Sequence, residues 1–166
     1  TYLNAQGIAT YPILLHTKAA LDSFIQRHDI EDYYFERYVE GENYYLLYYF
    51  SKSGLIQKAS QRNIAQQADG KSIVLAQRSN IEDHSIADKV EIMLQSIGFY
   101  GLAMVEIFRT EGDNFYAIEL NPRLWGPIQL MGDSNSTILN SFIKEALELP
   151  NAQVDSRTLK TSTYLW

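Results

Sequence analysis

The sequence predicts an α+β fold in which a mostly antiparallel sheet carries helices packed on one face. Three observations lead to this class. Runs rich in aromatic and aliphatic residues between residues 33 and 59 are separated by short Gly-containing turns, which is typical of an antiparallel meander. A Gly112-Asp113 pair between two more strand-like runs indicates a β-hairpin. Apolar residues recur at helical spacing in three other segments, which predicts the helices.

The N-terminal half is expected to hold a short strand, a helix and the meander. Residues 10–15 are expected to form the strand. Thr17 is expected to cap a helix over residues 18–27, because a Thr hydroxyl can accept a hydrogen bond from the first helical turn. A polar loop that runs to Gly70 follows the meander. The three strands of the meander are expected at residues 33–39, 44–50 and 55–59.

The C-terminal half is expected to alternate strands and helices. Residues 72–77 are expected to form a strand, and residues 86–97 a helix that ends at Gly98. The hairpin around Gly112-Asp113 comes next. A last helix is expected over residues 137–147, before Pro150.

The composition is that of an ordinary globular domain, with 46% hydrophobic and 20% charged residues among 166. Residues 1–166 are expected to form one domain, with residues 151–166 as a tail that contacts a partner. The net charge of −6 comes without a basic stripe, which argues against a nucleic-acid partner. The sequence has no cysteine, so disulfides and thiol catalysis are excluded. Because no apolar run reaches the ~20 residues of a membrane span, we expect a cytoplasmic protein without a membrane partner.

The register expected for the hairpin places two carboxylates opposite each other. A type II′ turn that begins at Gly112 would pair Glu106 with Glu119 and Met104 with Asn121. Since side chains alternate along a strand, Glu106, Glu119 and Asn121 would then share one face. The same counting pairs Ile107 with Ile118 and Arg109 with Tyr116. The opposite face, expected to be buried, would carry Val105, Ile107, Ile118 and Leu120.

Two opposed carboxylates favour a divalent cation. Like charges directly across a strand pair repel each other, and Mg²⁺ takes oxygen ligands from one or two carboxylates and from phosphates. Arg123 lies two positions after Asn121 and offers the planar fork that suits phosphate or carboxylate. The other interpretation is a solvated acidic pair on an exposed sheet face.

The hairpin sequence resembles the metal-binding end of the ATP-grasp superfamily. The resemblance rests on Met-Val-Glu-Ile-Phe at 104–108 and on Tyr-Ala-Ile-Glu-Leu-Asn-Pro-Arg-Leu-Trp-Gly at 116–126. It implies that Glu106, Glu119 and Asn121 bind the Mg²⁺ ions, or Mn²⁺, that bridge the ATP phosphates. It also implies that Arg123 is catalytic and contacts the phosphates or an acyl phosphate. The form of the motif is most similar to carboxylate-amine ligases, including those that resemble the large subunit of carbamoyl-phosphate synthetase.

A second segment, residues 35–41, resembles the hinge that holds adenine in the same superfamily. The resemblance implies that the carbonyl of Glu36 and the N–H of Val39 meet the adenine edge, with Arg37 near the base. Where many relatives carry a Glu for the ribose hydroxyls, this chain departs from the family and has Asn43, whose amide can still bond a hydroxyl. The resemblance also implies that Arg62 faces the phosphates or the acceptor substrate. Taken without the metal motif, the segment reads as an ordinary strand that ends in a Gly turn, and Arg62 as a solvated loop residue.

The resemblance implies an ATP- and Mg²⁺-dependent ligase. Such an enzyme phosphorylates a carboxylate substrate to an acyl phosphate, which an amine or similar nucleophile then attacks. We expect this chain to be the C-terminal ATP-grasp lobe, about half of such an enzyme, and to be inactive without the N-terminal domains of the same protein. The alternative is a non-catalytic nucleotide-binding or interaction module.

Overall fold

The computed structural model describes residues 2–3, 9–10, 12–54, 56–67, 72–134, 136–149 and 160–165. The chain divides into two compact units, Thr1–Glu40 and Gly41–Trp166.

The described residues of the N-terminal unit form a two-stranded ladder, an α-helix and a 3₁₀ turn. Strands β1 (Tyr2–Leu3) and β2 (Ala9–Thr10) pair antiparallel, and helix α1 spans Lys18–Arg27. The predicted cap is confirmed, because Thr17 Oγ1 accepts a hydrogen bond from the Ala20 N–H at 3.1 Å. The strand expected at residues 10–15 is wrong over residues 12–15, which belong to no strand. Pro12 lies two positions after Thr10 and has no N–H to give to a strand ladder.

Residues 33–39 are not the strand that the aromatic run predicts. They belong to no strand, and they follow a 3₁₀ turn at Ile30–Asp32. Two of the aromatic rings pack edge-on against Phe24 of α1 instead, with ring centroids 5.0 Å away for Tyr33 and 6.2 Å away for Phe35. The alternation of aromatic residues in this segment therefore arises from packing against a helix and not from pairing in a sheet.

The C-terminal unit is built on a six-stranded antiparallel sheet. Its strands follow the order β7-β6-β3-β4-β5-β8, so β3 and β4 are central and β7 and β8 are the edges. The strands are β3 (Glu42–Phe50), β4 (Ile56–Gln66), β5 (Ile73–Ser79), β6 (Gly101–Arg109), β7 (Phe115–Asn121) and β8 (Thr163–Leu165). The helices are α2 (Ser85–Ser96), α3 (Gln129–Asp133) and α4 (Ile138–Ala146), with a 3₁₀ turn at Ile81–Asp83.

Two differences from the expected elements lie in β4 and at the C-terminus. Strand β4 continues to Gln66, where a polar loop was expected, because its second half pairs with β5 from Ser60 to Gln66. Within the expected tail, Thr163–Leu165 pairs with β5 and closes one edge of the sheet. Residues 151–159 and 166 of the expected tail lie outside the described residues, and residues 160–162 belong to no strand or helix.

The α+β class is confirmed, but helices cover both faces of the sheet rather than one. Strand β3 explains why, since it is apolar along most of its length and is buried on both sides. Its even-numbered residues, from Tyr44 to Phe50, pack with α2 in one core; we call this side the α2 face. Its odd-numbered residues, from Tyr45 to Tyr49, pack with Trp125 and α3 in a second core, on the α3 face.

Gly41 is expected to tolerate no side chain. A Cβ at this position would lie 2.6 Å from the Arg109 carbonyl oxygen, which belongs to the backbone of β6 and cannot turn away. We expect Gly41→Ala to lower the free energy of unfolding by about 1–3 kcal/mol, as overpacking does. Gly132→Ala is the matched control, because its Cβ would meet only Gln129 Nε2 at 3.8 Å. Equal midpoints of urea unfolding for the two variants would contradict this.

Candidate metal site

The β6–β7 hairpin brings the two carboxylates together as predicted. Met104 pairs with Asn121 and Glu106 pairs with Glu119, so both predicted pairings are confirmed. Nearer the turn the predicted register is wrong by one residue, because a bulge at Ile118 separates the two halves of the ladder. The observed pairs there are Ile107 with Ala117, Phe108 with Tyr116 and Arg109 with Phe115.

The turn itself also differs from the expected type II′. Both Gly112 and Asp113 have positive φ, at 75° and 62°, whereas type II′ requires it only at the first central residue. The Thr110 N–H closes the turn on the Asn114 carbonyl at 2.9 Å. Compared with the expected turn, the observed turn therefore moves the strand pairing by one residue. The extra residue at the bulge moves the pairing back, so Glu106 and Glu119 face each other as expected.

The face expected to be buried is buried only on β6. Val105 and Ile107 belong to the core on the α2 face. Ile118 and Leu120 are 50% and 40% exposed, and β7, which carries them, is an edge strand of the sheet. The predicted burial of these two residues is wrong.

Glu106 is half-buried on the α3 face, and the side chain of Asn43 on β3 donates a hydrogen bond from Nδ2 to its Oε1. Burial raises the pKa of Glu106 above its ordinary value. The hydrogen bond from Asn43 opposes this shift, and the charge of Glu119 adds to it. Glu119 is exposed on the edge strand. A bound cation would relieve the repulsion between the two carboxylates.

Asn121 and Arg123 follow on the same strand end. Asn121 is 9% exposed, and its Nδ2 has no hydrogen-bond partner among the described residues. The Arg123 N–H turns back to the Asn121 carbonyl at 2.9 Å, which fixes the chain after Pro122. The guanidinium of Arg123 is exposed and donates from Nη1 to the Leu124 carbonyl at 3.0 Å. Most of its donors remain available to an anionic ligand.

Tyr45 is a site residue that the sequence reasoning missed. It lies directly across from Glu106 on the α3 face, and its ring is buried in the core there. Burial raises the pKa of the Tyr45 hydroxyl, and the charges of Glu106 and Glu119 raise it further, while Arg123 lowers it. The hydroxyl therefore stays protonated among the three charged residues. Two-residue alternation along β3, which relates Tyr45 to Asn43, is the signal that could have found it.

The structure does not bring Arg62 together with the carboxylates. Arg62 pairs in register with Tyr44, whose side chain belongs to the α2 face. Its Nη2 lies 2.5 Å from Glu42 Oε1, in an exposed ion pair. Asn43 does lie at the site, on the same face as Glu106.

The hinge residues lie in the N-terminal unit. Glu36 and Arg37 are exposed and Val39 is half-buried, in an extended segment that belongs to no strand. Their contacts with adenine stay a prediction.

The site fits a hard divalent cation through a mixed set of oxygen donors. In the part of the chain that the structure describes, no three His, Cys, Asp or Glu side chains cluster as metal ligands would. Glu106, Glu119 and Asn121 combine two carboxylates with one amide, which leaves several positions of a Mg²⁺ octahedron for water or phosphate oxygens. The buried Nδ2 of Asn121 is a donor without a partner among the described residues, which agrees with an acceptor such as a phosphate oxygen bound beside the cation.

A cavity of about 300 Å³ opens beside this site. It lies where β3 begins and β4 passes, and Asn43 lines both the cavity and the carboxylate site. Its other lining residues include Gly41, Glu42, Arg62, Asn63 and Phe108. A polar ligand in this cavity would reach the Asn43 side chain.

Solved structures share this fold. The biotin carboxylase–β,γ-ATP complex from Campylobacter jejuni has a TM-score of 0.62 and 18% identity, over 77% of this chain and 30% of that chain. N5-carboxyaminoimidazole synthetase from Staphylococcus aureus, solved with ADP, has a TM-score of 0.62 and 16% identity, over 77% and 35%. The biotin carboxylase domain of 2-oxoglutarate carboxylase from Hydrogenobacter thermophilus, solved with MgADP and bicarbonate, has a TM-score of 0.61 and 19% identity, over 77% and 30%.

These similarities, all below 20% identity, show that the chain shares its fold with these structures over about three quarters of its length. The chain spans about a third of the length of these structures. No protein-family profile and no curated protein sequence matches the chain. Among the described residues, no helix combines the length and the apolar character that crossing a membrane requires.

Proposed function

We propose that this chain supplies the metal and phosphate site of an ATP-dependent carboxylate-amine ligase of the ATP-grasp superfamily. The observation that carries the proposal is the opposition of Glu106 and Glu119, with Asn121 on the same face, in a lobe whose fold recurs in ATP- and ADP-bound enzymes. We also propose that the enzyme belongs to the branch that resembles the large subunit of carbamoyl-phosphate synthetase. The N-terminal domains of the same protein would complete it.

Glu106, Glu119 and Asn121 would hold the cation, Mg²⁺ or Mn²⁺, through their side-chain oxygens. When bound, the cation neutralises charge on the phosphates and orients them for transfer. The half-buried position of Glu106 strengthens its attraction to a cation, because water screens the interaction less there than at the surface.

Arg123 stabilises charge on the transferring phosphoryl group or on the acyl phosphate. Its position two residues after Asn121, with its backbone held by the Asn121 carbonyl, keeps it next to the cation site. The protonated Tyr45 hydroxyl adds a donor on the same face. In this reaction the protein acts by positioning and charge neutralisation, and no side chain needs to form a covalent intermediate.

Each of the remaining predicted residues has a proposed role of its own in binding nucleotide or substrate. The carbonyl of Glu36 and the N–H of Val39 meet adenine, with Arg37 beside the base. Asn43 lines the neighbouring cavity, and the second donor and second lone pair that its hydrogen bonds to Glu106 and Asn63 leave would meet a ribose hydroxyl. Arg62 faces the acceptor substrate only if it leaves its ion pair with Glu42.

Glu119→Gln is expected to remove the Mg²⁺ dependence of nucleotide binding. The substitution keeps the shape of the side chain and removes one of the two charges that attract the cation. Equilibrium binding of ATP, measured by calorimetry with Mg²⁺ and with EDTA, should differ in the wild-type chain and be the same in the variant. Glu111→Gln is the control, since Glu111 lies in the exposed hairpin turn. If the variant keeps the wild-type Mg²⁺ dependence, Glu119 does not bind the cation.

A further inference from the structure

Three buried side-chain amides form a row that crosses the sheet and ends at Glu106. Gln61 Nε2 on β4 donates to Asn63 Oδ1 at 2.8 Å. Asn63 Nδ2 in turn donates to Asn43 Oδ1 on β3, and Asn43 Nδ2 donates to Glu106 Oε1 on β6. All three amides are more than nine-tenths buried. The row therefore joins three neighbouring strands to one proposed metal ligand.

The carboxylate fixes the direction of every hydrogen bond in the row. An ionised carboxylate only accepts, so Asn43 must present its NH₂ group to Glu106 and its oxygen to Asn63. The same requirement passes to Asn63, which must then present its oxygen to Gln61. The donors all point toward Glu106, and hydrogen bonds aligned in this way strengthen one another.

Amide side chains are not needed for packing on this face of the sheet. Leu47 and Met104, farther along the same face, pack in the core without polar atoms that need partners. At the far end of the row, Gln61 Oε1 is buried and finds no hydrogen-bond partner among the described residues. Burying an unpaired polar atom is unfavourable for folding, so the row is better explained by what it does to Glu106 than by packing.

We propose that Gln61, Asn63 and Asn43 are positioning residues that hold the Glu106 carboxylate by Oε1 and leave Oε2 to the divalent cation. In the described structure no hydrogen bond is made to Oε2. This inference rests on the proposed function, because it assigns the row to the same cation. Asn63 then controls cation affinity from two strands away without contacting the cation.

Asn63→Leu tests the row, because leucine has a similar size and cannot donate to Asn43. Titrating Mg²⁺ alone into the wild-type chain should shift the side-chain amide NMR resonances of Asn43 and Asn63. In Asn63→Leu, Mg²⁺ affinity should fall about 10-fold or more, as for other residues that support a metal ligand. The Asn43 amide resonance should also move before any Mg²⁺ is added. Gln57→Leu, which removes a β4 amide outside the row, should keep wild-type affinity.

Two results separate this inference from the proposed function. Suppose that Glu106→Gln loses Mg²⁺ binding while Asn63→Leu keeps both the wild-type affinity and the wild-type Asn43 resonance. The metal assignment is then supported, and the positioning role of the row is contradicted. If Glu106→Gln binds Mg²⁺ as the wild type does, the metal assignment itself fails. If Asn63→Leu and Gln57→Leu lose Mg²⁺ affinity equally, the loss comes from general destabilisation of β4. That result would also contradict the role proposed for the row.

Discussion

Replacing Glu106 by Gln is expected to weaken divalent-cation binding by at least ~100-fold, since loss of a direct ligand should exceed the loss caused by its supporting residues. The change is close to isosteric, and the Gln oxygen can still accept from Asn43. The expected loss therefore reports the charge of Glu106 rather than its shape. Calorimetric titration of Mg²⁺ into both proteins measures it, with Glu111→Gln as a control for charge outside the site.

The same substitution should have the opposite effect on stability when no divalent cation is present. Glu106 is half-buried opposite Glu119, and Gln removes this repulsion. In EDTA, the variant is expected to unfold at the same or a higher urea concentration than the wild type. A variant that binds no cation and is also less stable would point to misfolding instead.

The stability difference should also depend on pH. Burial raises the pKa of Glu106, with Asn43 opposing this shift and Glu119 adding to it. Between the ordinary glutamate pKa and this raised pKa, the folded state binds more protons than the unfolded state. Wild-type stability is then lost as the pH rises through that range, and the advantage of Glu106→Gln grows. Urea unfolding of both proteins in EDTA across that range measures the difference, and a pH-independent difference would contradict the burial of this charge.

The largest effect on stability is expected at a buried ion pair outside the site. Arg78 and Glu82 are 8% and 5% exposed, and the guanidinium donates to both carboxylate oxygens. Ser60 also donates to Glu82 through its hydroxyl, and its carbonyl accepts from Arg78 Nη1 at 2.9 Å. Arg78→Met would leave the Glu82 charge buried without its partner, which should cost about 3–5 kcal/mol of unfolding free energy.

A double variant distinguishes the ion pair from the packing around it. Arg78→Met combined with Glu82→Met removes both charges, and we expect it to recover most of the stability that Arg78→Met loses. Lys58→Met, which breaks an exposed pair with Asp88, is the control and should cost at most about 1 kcal/mol. A double variant less stable than Arg78→Met would show that the pair stabilises the fold outright. Urea unfolding of the four proteins measures all three differences.

Local signals were sufficient where the sequence prediction is confirmed. The Thr17 cap, the helix that ends before Gly98, and the pairing of Glu106 with Glu119 each follow from residues close together in the chain. The pairing of the carboxylates is nonetheless as predicted only because two shifts in strand register cancel. The turn and the bulge at Ile118 each shift the register by one residue, and short-range counting sees neither.

The errors arise where distant packing overrides local pattern. Tyr33 and Phe35 alternate as in a strand, yet their rings pack against Phe24 of a helix. Ile118 and Leu120 alternate as a buried face, yet they lie on an edge strand whose exposure depends on the order of strands in the sheet. The residues around Glu106 on β3 and β4 could not be found from the hairpin alone. Their approach follows from pairing between strands more than forty residues apart in the chain.

The most direct test of the proposed function is to locate the bound cation by paramagnetic broadening. Mn²⁺ broadens NMR signals of nuclei close to it, and it can be titrated into the chain without nucleotide. We expect the strongest broadening at the side chains of Glu106, Glu119 and Asn121, and its loss in Glu106→Gln. Broadening centred on the exposed acidic turn at Glu111 and Asp113, or broadening that is unchanged in Glu106→Gln, would contradict a metal site on this hairpin.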